Sequence, residues 1–352
     1  MNSFSDYLKE QSALHPSMQP RDVAKLCYQA AFGAEHLLRD LEAAWNYLKK
    51  ELEVTPSTEL LPLVEAISPE VCRVHLGAWK QTGLPAEWLF SMFVASATVK
   101  SAGRPSLEAY LQEAARMAED GAFAFSPEEW RAFAAEYAAA GMPPLHHSDR
   151  YREAEHPAYR IVRRELADLL PLLEGVARIL EEKNSCVLAI DGRAAAGKTT
   201  LAARLEQILG VDAVHMDDFF LPPPMRTEAR LGEVGGNVHY ERVREEVLPH
   251  LSTGENFSYG VFDCSHMAIT GRREIGASRI RLVEGSYSHH PVFGAYADLR
   301  VFVTVSPEEQ MERILCRNGE GLAKRFREEW IPMEERYFET FDIPSRANLI
   351  FT

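Results

Sequence analysis

The sequence predicts an α/β fold: a three-layer α/β/α domain with a mainly parallel sheet over residues 184–352, preceded by an all-helical domain over residues 1–183. Three observations carry this. A short apolar run, Cys186 to Ile190, leads through a glycine-containing loop into Leu201 to Leu209, whose leucines recur at helical spacing, so the order is strand, loop, helix. Downstream, short apolar runs alternate with helical stretches, which is the pattern of a parallel sheet. Upstream, apolar residues repeat almost throughout at three-to-four spacing, and 352 residues suffice for two domains, each with its own core.

In the first half, Val23, Leu26, Cys27 and Ala30 follow Pro20 at helical spacing, and Leu37, Leu38, Leu41, Trp45, Leu48 and Leu52 continue the pattern beyond Gly33. That predicts one long amphipathic helix or two in series. Ser68-Pro69-Glu70 reads as a capping serine before a first-turn proline, and Gly83-Leu84-Pro85 opens a segment with Trp88, Leu89, Met92 and Phe93. Ser126-Pro127-Glu128-Glu129 is a capping box ahead of Trp130, Phe133 and Tyr137, and its helix stops at Gly141 before two prolines. About six helices are expected. From Tyr159 a helical pattern runs to Asn184, interrupted by Pro171, and connects the two domains. Just before it, His146, His147 and His156 stand among three carboxylates; a metal site shared with His36 or His75, an anion or small-molecule site, and a polar linker are all open readings.

In the second half the strands are expected at Val187 to Ile190, Ala213 to Met216, Ile280 to Val283, Leu299 to Val305 and Leu349 to Phe351. Helices follow the loop, span Glu241 to Leu251, and begin at the capped Ser306-Pro307-Glu308-Glu309. Ligands of such a sheet bind at the carboxyl ends of its strands.

The loop itself is Gly192-Arg193-Ala194-Ala195-Ala196-Gly197-Lys198-Thr199-Thr200, with the Gly-x4-Gly-Lys-Thr spacing of the Walker A phosphate-binding loop, or P-loop. The two glycines let consecutive backbone N–H groups turn inward around an anion, and the positive end of the following helix adds to that field. All nine residues are therefore candidates for holding ATP. Lys198 reaches the outer phosphates and Thr199 offers its hydroxyl to Mg²⁺. No guanine-specifying Asn-Lys-x-Asp, no Asp-x-x-Gly switch and no Leu-Ser-Gly-Gly signature is present. The second strand instead ends in His215-Met216-Asp217-Asp218-Phe219-Phe220. A carboxylate there can take a hydroxyl proton or help hold Mg²⁺, and since adjacent residues of a strand face opposite sides only one aspartate points inward; Asp217 is the one expected.

With the loop, Asp217-Asp218-Phe219-Phe220 and Leu282-Val283-Glu284-Gly285, residues from about 185 to 352 resemble the uridine kinase and nicotinamide riboside kinase group of P-loop NTPase-fold small-molecule kinases. The resemblance implies Asp217 as general base and Glu284 beside metal and acceptor, so Thr199, Asp217 and Glu284 are the metal candidates. Cationic lid residues are expected on and after the Ser306 helix, with Arg317 and Arg325 foremost among Arg313, Arg317, Lys324, Arg325 and Arg327. His239 stands where the family places a ribose-binding aspartate. His239, Tyr240 and Tyr259, with Asp217 and Glu284, are the substrate candidates, although the stretch around Tyr259 also reads as a packed hairpin.

The formal charge of −14 argues against a nucleic-acid or anionic-membrane partner. Five widely spaced cysteines without a Cys-x-x-Cys pair, and no visible signal or membrane-spanning run, suggest a cytoplasmic protein with reduced thiols. The expected function is ATP- and Mg²⁺-dependent phosphoryl transfer to a hydroxyl of a small, nucleoside-like metabolite. The rival is an ATP-binding regulatory protein whose helical half senses a ligand or partner, and the oligomeric state is left open.

Overall fold

The structure is a computed structural model that describes residues 3–35, 38, 40–99 and 103–352. The chain divides into two compact units, Met1–Pro171 and Leu172–Thr352. The junction thus lies inside the helix that the sequence assigns to the first domain, and most of that helix goes with the second unit.

The first unit is largely helical. Helices α1 (Phe4–Leu14), α2 (Pro20–Phe32), α3 (Leu41–Val54), α4 (Leu76–Thr82), α5 (Ala86–Thr98), α6 (Arg104–Glu119), α7 (Pro127–Ala139), α8 (Asp149–Glu155) and α9 (Arg164–Ala167) account for most of it. Two helices in series, α2 and α3, follow Pro20, and the capping box at Ser126 starts α7 as its chemistry requires, with Ser126 Oγ accepting from Glu129 N and the Glu129 carboxylate accepting from Ser126 N. Val23, Leu26, Cys27 and Ala30 bury one face of α2 in a core with Phe123, Phe125 and Trp130. The unit is not all-helical, however. Strands β1 (Val64–Ala66), β2 (Val71–His75) and β3 (Tyr159–Arg163) form an antiparallel sheet with β2 in the middle. Ser68-Pro69-Glu70 is the turn between β1 and β2 rather than a helix start: Ser68 Oγ accepts from Val71 N, the same local bond that caps a helix. Tyr159 to Arg163 is a strand because β-branched Ile161 and Val162 pair with β2, a long-range partner that local periodicity does not register.

In the second unit, α10 (Leu170–Lys183) starts with Pro171 in its first turn, where a proline is tolerated. Strands β4 (Cys186–Gly192), β5 (Ala213–His215), β8 (Ile280–Glu284), β9 (Leu299–Val303) and β10 (Leu349–Phe351) make one parallel sheet in the order β10-β9-β4-β8-β5. Every residue of β4 is buried, as the central strand of a sheet covered on both faces must be. A separate antiparallel hairpin, β6 (Phe257–Asp263) with β7 (Ala268–Ile275), realises the hairpin reading of that stretch. The helices are α11 (Lys198–Leu209), α12 (Glu228–Gly232), α13 (Tyr240–Glu246), α14 (Leu248–Leu251), α15 (Pro307–Arg325) and α16 (Ile331–Phe341). The expected Glu241 to Leu251 helix is two, broken at Val247, which leaves helical angles just before Leu248-Pro249. α13 and α16 cover the sheet face that carries Val187, Val283 and Phe302. There Phe338 meets Phe302 edge-on at 5.0 Å, a contact worth about 1 kcal/mol beyond its buried area.

The sheet order doubles back across β4, whose neighbours β8 and β9 lie on either side, so its carboxyl end is the switch point where a ligand crevice opens. Gly192 closes that strand at φ 144°, and a Cβ on it would lie 2.0 Å from Val303 O. Gly192→Ala is expected to destabilise the second unit by more than about 3 kcal/mol, because neither the backbone angle nor the neighbouring strand can yield. Denaturant unfolding of the variant against the wild type measures this.

Candidate functional site

The phosphate loop leaves β4 at Gly192 and enters α11 at Lys198, after Gly197 at φ 103°. Lys198 Nζ donates to Gly192 O at 2.8 Å and Arg193 O at 3.0 Å, which holds the ammonium over the loop. Thr199 heads α11 and its hydroxyl is 3.4 Å from Glu284 Oε2. Glu284 ends β8, and parallel pairing sets His215 of β5 beside it, so His215 Nδ1 meets Glu284 Oε1 at 2.5 Å. The hydrogen bond that His215 donates to the Glu284 carboxylate raises its pKa, against burial.

Asp217 and Asp218 follow β5 in one turn of 3₁₀-helix and part company. Asp218 is buried, accepting from Tyr259 OH at 2.9 Å and from Arg273 Nε at 3.0 Å. Asp217 is exposed, and its pKa is raised first by the protein around it and then by the Glu284 carboxylate, with Lys198 opposing. The aspartate available to a ligand is therefore Asp217, and the reason is the clamp on Asp218 rather than strand alternation.

Other expected residues have structural duties. Tyr259 is fully buried and its hydroxyl is held between His215 N, which donates to it, and the Asp218 carboxylate, so its ring cannot stack on a ligand. Tyr240 is likewise buried, donating to Glu233 Oε2 at 2.6 Å with the Arg230 guanidinium 3.6 Å from its ring centre. His239 caps α13 by accepting from Arg242 N. Arg317 bonds Asn318, and Arg325 bonds Glu329 and lies over Trp330, both in solvent. On that helix it is Arg313 that touches the loop, its Nη1 donating to Ala195 O at 3.2 Å.

Two groups at the loop escaped sequence reasoning. Asp191 is buried, accepting from Gly192 N, Tyr287 N, His289 N and Tyr337 OH. Glu334 of α16 is also buried, with Oε2 accepting from Ala194 N at 2.9 Å and Oε1 from Ser286 Oγ at 2.8 Å. Its signal was present: Glu334, Tyr337 and Phe338 share one buried helix face, an unusual place for a carboxylate. A backbone amide of the loop thus already donates to a carboxyl oxygen, and the oxygens of Thr199, Glu284 and Asp217 lie nearby, hard donors of the kind that hold cations such as Mg²⁺.

The first unit holds a separate buried polar cluster. Asp22, ionised because the hydrogen bonds from His147 and Ser148 outweigh burial, accepts from His147 Nδ1 at 2.9 Å and Ser148 N at 2.9 Å. Burial pushes His147 down to about 4, so its ring is neutral, Nδ1 carries the proton, and Nε2 accepts from Tyr159 OH at 2.7 Å. Arg73 stacks 4.3 Å from the Tyr159 ring centre and bonds Glu65, which also accepts from His75. Burial, and then Arg73, bring Lys25 down to about 8. His147 also lines a cavity of about 790 Å³ with Arg21, His146 and Arg152. His75 and His147 each have their own carboxylate, and His156 ends α8, so the histidines do not converge; among the described residues no group of three or more His, Cys, Asp or Glu is set to hold a metal. His36 lies outside the described residues.

The His215 and Glu284 contact gives a titration test. A histidine raised above its unfolded value of 6.5 contributes stability that is fully present below about pH 6.5 and lost as pH rises through its folded pKa. The imidazole proton signals of His215 in NMR are expected to titrate above pH 6.5 in the wild type, with the midpoint falling in Glu284→Gln.

Among the described residues no helix is long and apolar enough to cross a membrane, and the five cysteines are free. No family model matches the chain, and no curated protein matches it. Among solved structures it is similar to a possible uridine kinase from Bacillus stearothermophilus, at 23% identity and TM-score 0.40, over 53% of this chain and 100% of that one. It is also similar to a provisionally named fructose transport system kinase from Silicibacter sp. TM1040, at 24% identity and TM-score 0.44, over 52% of this chain and 98% of that one. The parallel five-stranded sheet with helices on its faces, and the glycine loop between its central strand and α11, have the arrangement of the P-loop α/β fold.

Proposed function

We propose that the second unit is an ATP- and Mg²⁺-dependent phosphotransferase acting on a hydroxyl of a small metabolite. The observation that carries this is the meeting, at one edge of the sheet, of the phosphate loop, the Thr199 and Glu284 oxygens, and an aspartate left free while its neighbour is clamped. ATP with Mg²⁺ supplies the transferable phosphoryl group and the charge that offsets its negative oxygens. Loop amides and Lys198 hold phosphate oxygens, and Thr199 and Glu284 offer oxygen ligands to the cation. Asp217, with its raised pKa, takes the proton from the acceptor hydroxyl, and Arg313 near the loop offsets the negative charge that develops. A nucleoside-like acceptor is favoured by the Asp217-Asp218-Phe219-Phe220 resemblance, with its binding surface formed by residues other than Tyr240 and Tyr259. The acidic charge and free thiols fit a cytoplasmic enzyme that binds no nucleic acid.

The buried cluster of the first unit favours a second reading, in which that unit senses a ligand and the loop reports ATP. Burying Arg73, Asp22 and His147 together is expensive for stability alone.

Asp217→Asn is expected to lower acceptor-dependent ADP formation by at least about a hundredfold while changing the ATP dissociation constant by less than about threefold. The assay uses purified protein, Mg²⁺ and a panel of nucleosides, pantothenate, sugars and vitamin precursors. Near-normal turnover in the variant removes Asp217 as the base. ATP binding with slow hydrolysis that no acceptor accelerates favours the sensing reading.

A further inference from the structure

Helix α16 reaches the phosphate loop with two consecutive carboxylates. Glu335 pairs with the Arg193 guanidinium, and Glu334 takes the next amide, Ala194 N, while Ser286 Oγ holds its other oxygen. Tyr337, one turn on, is bonded to Asp191, so the helix is fixed on the side where Glu334 enters. A buried carboxylate is stable only if its oxygens are paired. This one is paired to a backbone N–H of the segment whose purpose is to receive phosphate oxygens. An anion at Ala194 N and the Glu334 carboxylate compete for one donor and repel each other.

We propose that Glu334 is a built-in competitor of the nucleotide, an autoinhibitory latch by which α16 occupies the phosphate loop until its carboxylate is displaced. The proposal rests on the reading of the loop as an ATP site and adds its regulation. The latch can open at the first turn of α16, which carries Glu334, while Tyr337 keeps the rest of the helix bonded to Asp191. α16 is preceded by a single π-helical turn, Phe326–Trp330, and α15 before that is broken at Gly319, with φ 72° and ψ 172°. Both are irregularities at which a helix bends. The surroundings fit the same role: burial raises the pKa of Glu334, Lys198, Ala194 N and Ser286 oppose it, and Asp191 adds to it, so the charged carboxylate is disfavoured where it sits.

The test is calorimetric titration of the full chain with ATP and Mg²⁺ for the wild type, Glu334→Gln, Ser286→Ala and Lys198→Ala. Gln is isosteric and still accepts from Ala194 N, so the loop keeps its shape while the charge is removed. Glu334→Gln is expected to tighten ATP binding about tenfold, and Ser286→Ala, which loosens the carboxylate without removing it, by a smaller factor in the same direction. Unchanged or weaker binding in Glu334→Gln, with Lys198→Ala still abolishing it, overturns the latch and leaves the nucleotide site standing. Binding absent in the wild type and in Glu334→Gln, or indifferent to Lys198→Ala, overturns the nucleotide reading and the latch with it.

Discussion

The second unit depends on one buried carboxylate. Asp191 sits at the carboxyl end of the central strand with no exposure, and four donors converge on it: the amides of Gly192, Tyr287 and His289 and the hydroxyl of Tyr337. Those donors belong to the start of the phosphate loop, the turn after β8 and helix α16. One charge therefore registers three segments far apart in sequence, and charge-assisted bonds to backbone N–H groups are strong enough to offset its burial. Tyr287 adopts φ 70°, an uncommon angle for a non-glycine residue, so that its amide can face Asp191.

The two faces of the sheet consequently bring different chemistry to the same loop. On the α11 face stand Thr199, Glu284 and His215, whose alignment follows from parallel register, since His215 and Glu284 are direct neighbours across β5 and β8. On the α16 face stand Asp191, Tyr337 and Glu334. In the proposed reading, the α11 side provides what a phosphoryl donor needs, and the α16 side places a carboxylate where that donor would bind. The close passage of Gly192 past Val303, and of Gly285 past Met216, where a Cβ on the glycine would lie 2.8 Å from the Met216 Cβ, sets how tightly these faces meet at the edge.

Much of this was legible in the sequence because it is local. The strand, loop and helix around Gly192 to Thr200 announce themselves by spacing, and the strands of the parallel sheet by short apolar runs. What was illegible is long-range. Val71 to His75 and Tyr159 to Arg163 are strands only because they pair with one another across more than 80 residues of chain. Tyr240 and Tyr259 have the composition of a ring-binding pocket, and only their hydroxyl partners, Glu233 and Asp218, show that they are spoken for. Arg317 and Arg325 sit on the expected helix but face solvent, because helix rotation, fixed by packing of Gln310 and Ile314, decides which arginine meets the loop. In the first unit, Asp22, Arg73 and His147 come from three distant segments, so their cluster carries no local signature at all.

The central claim is that the gathered loop, oxygen donors and free aspartate transfer a phosphoryl group rather than merely bind a nucleotide. The most direct measurement is ³¹P NMR of ATP and Mg²⁺ incubated with the full chain and a pool of small hydroxyl metabolites, following the fate of the γ-phosphorus. The account predicts a new phosphate monoester resonance growing with ADP. Loss of the γ-resonance to inorganic phosphate alone, or no loss at all from a protein that binds ATP, would contradict it.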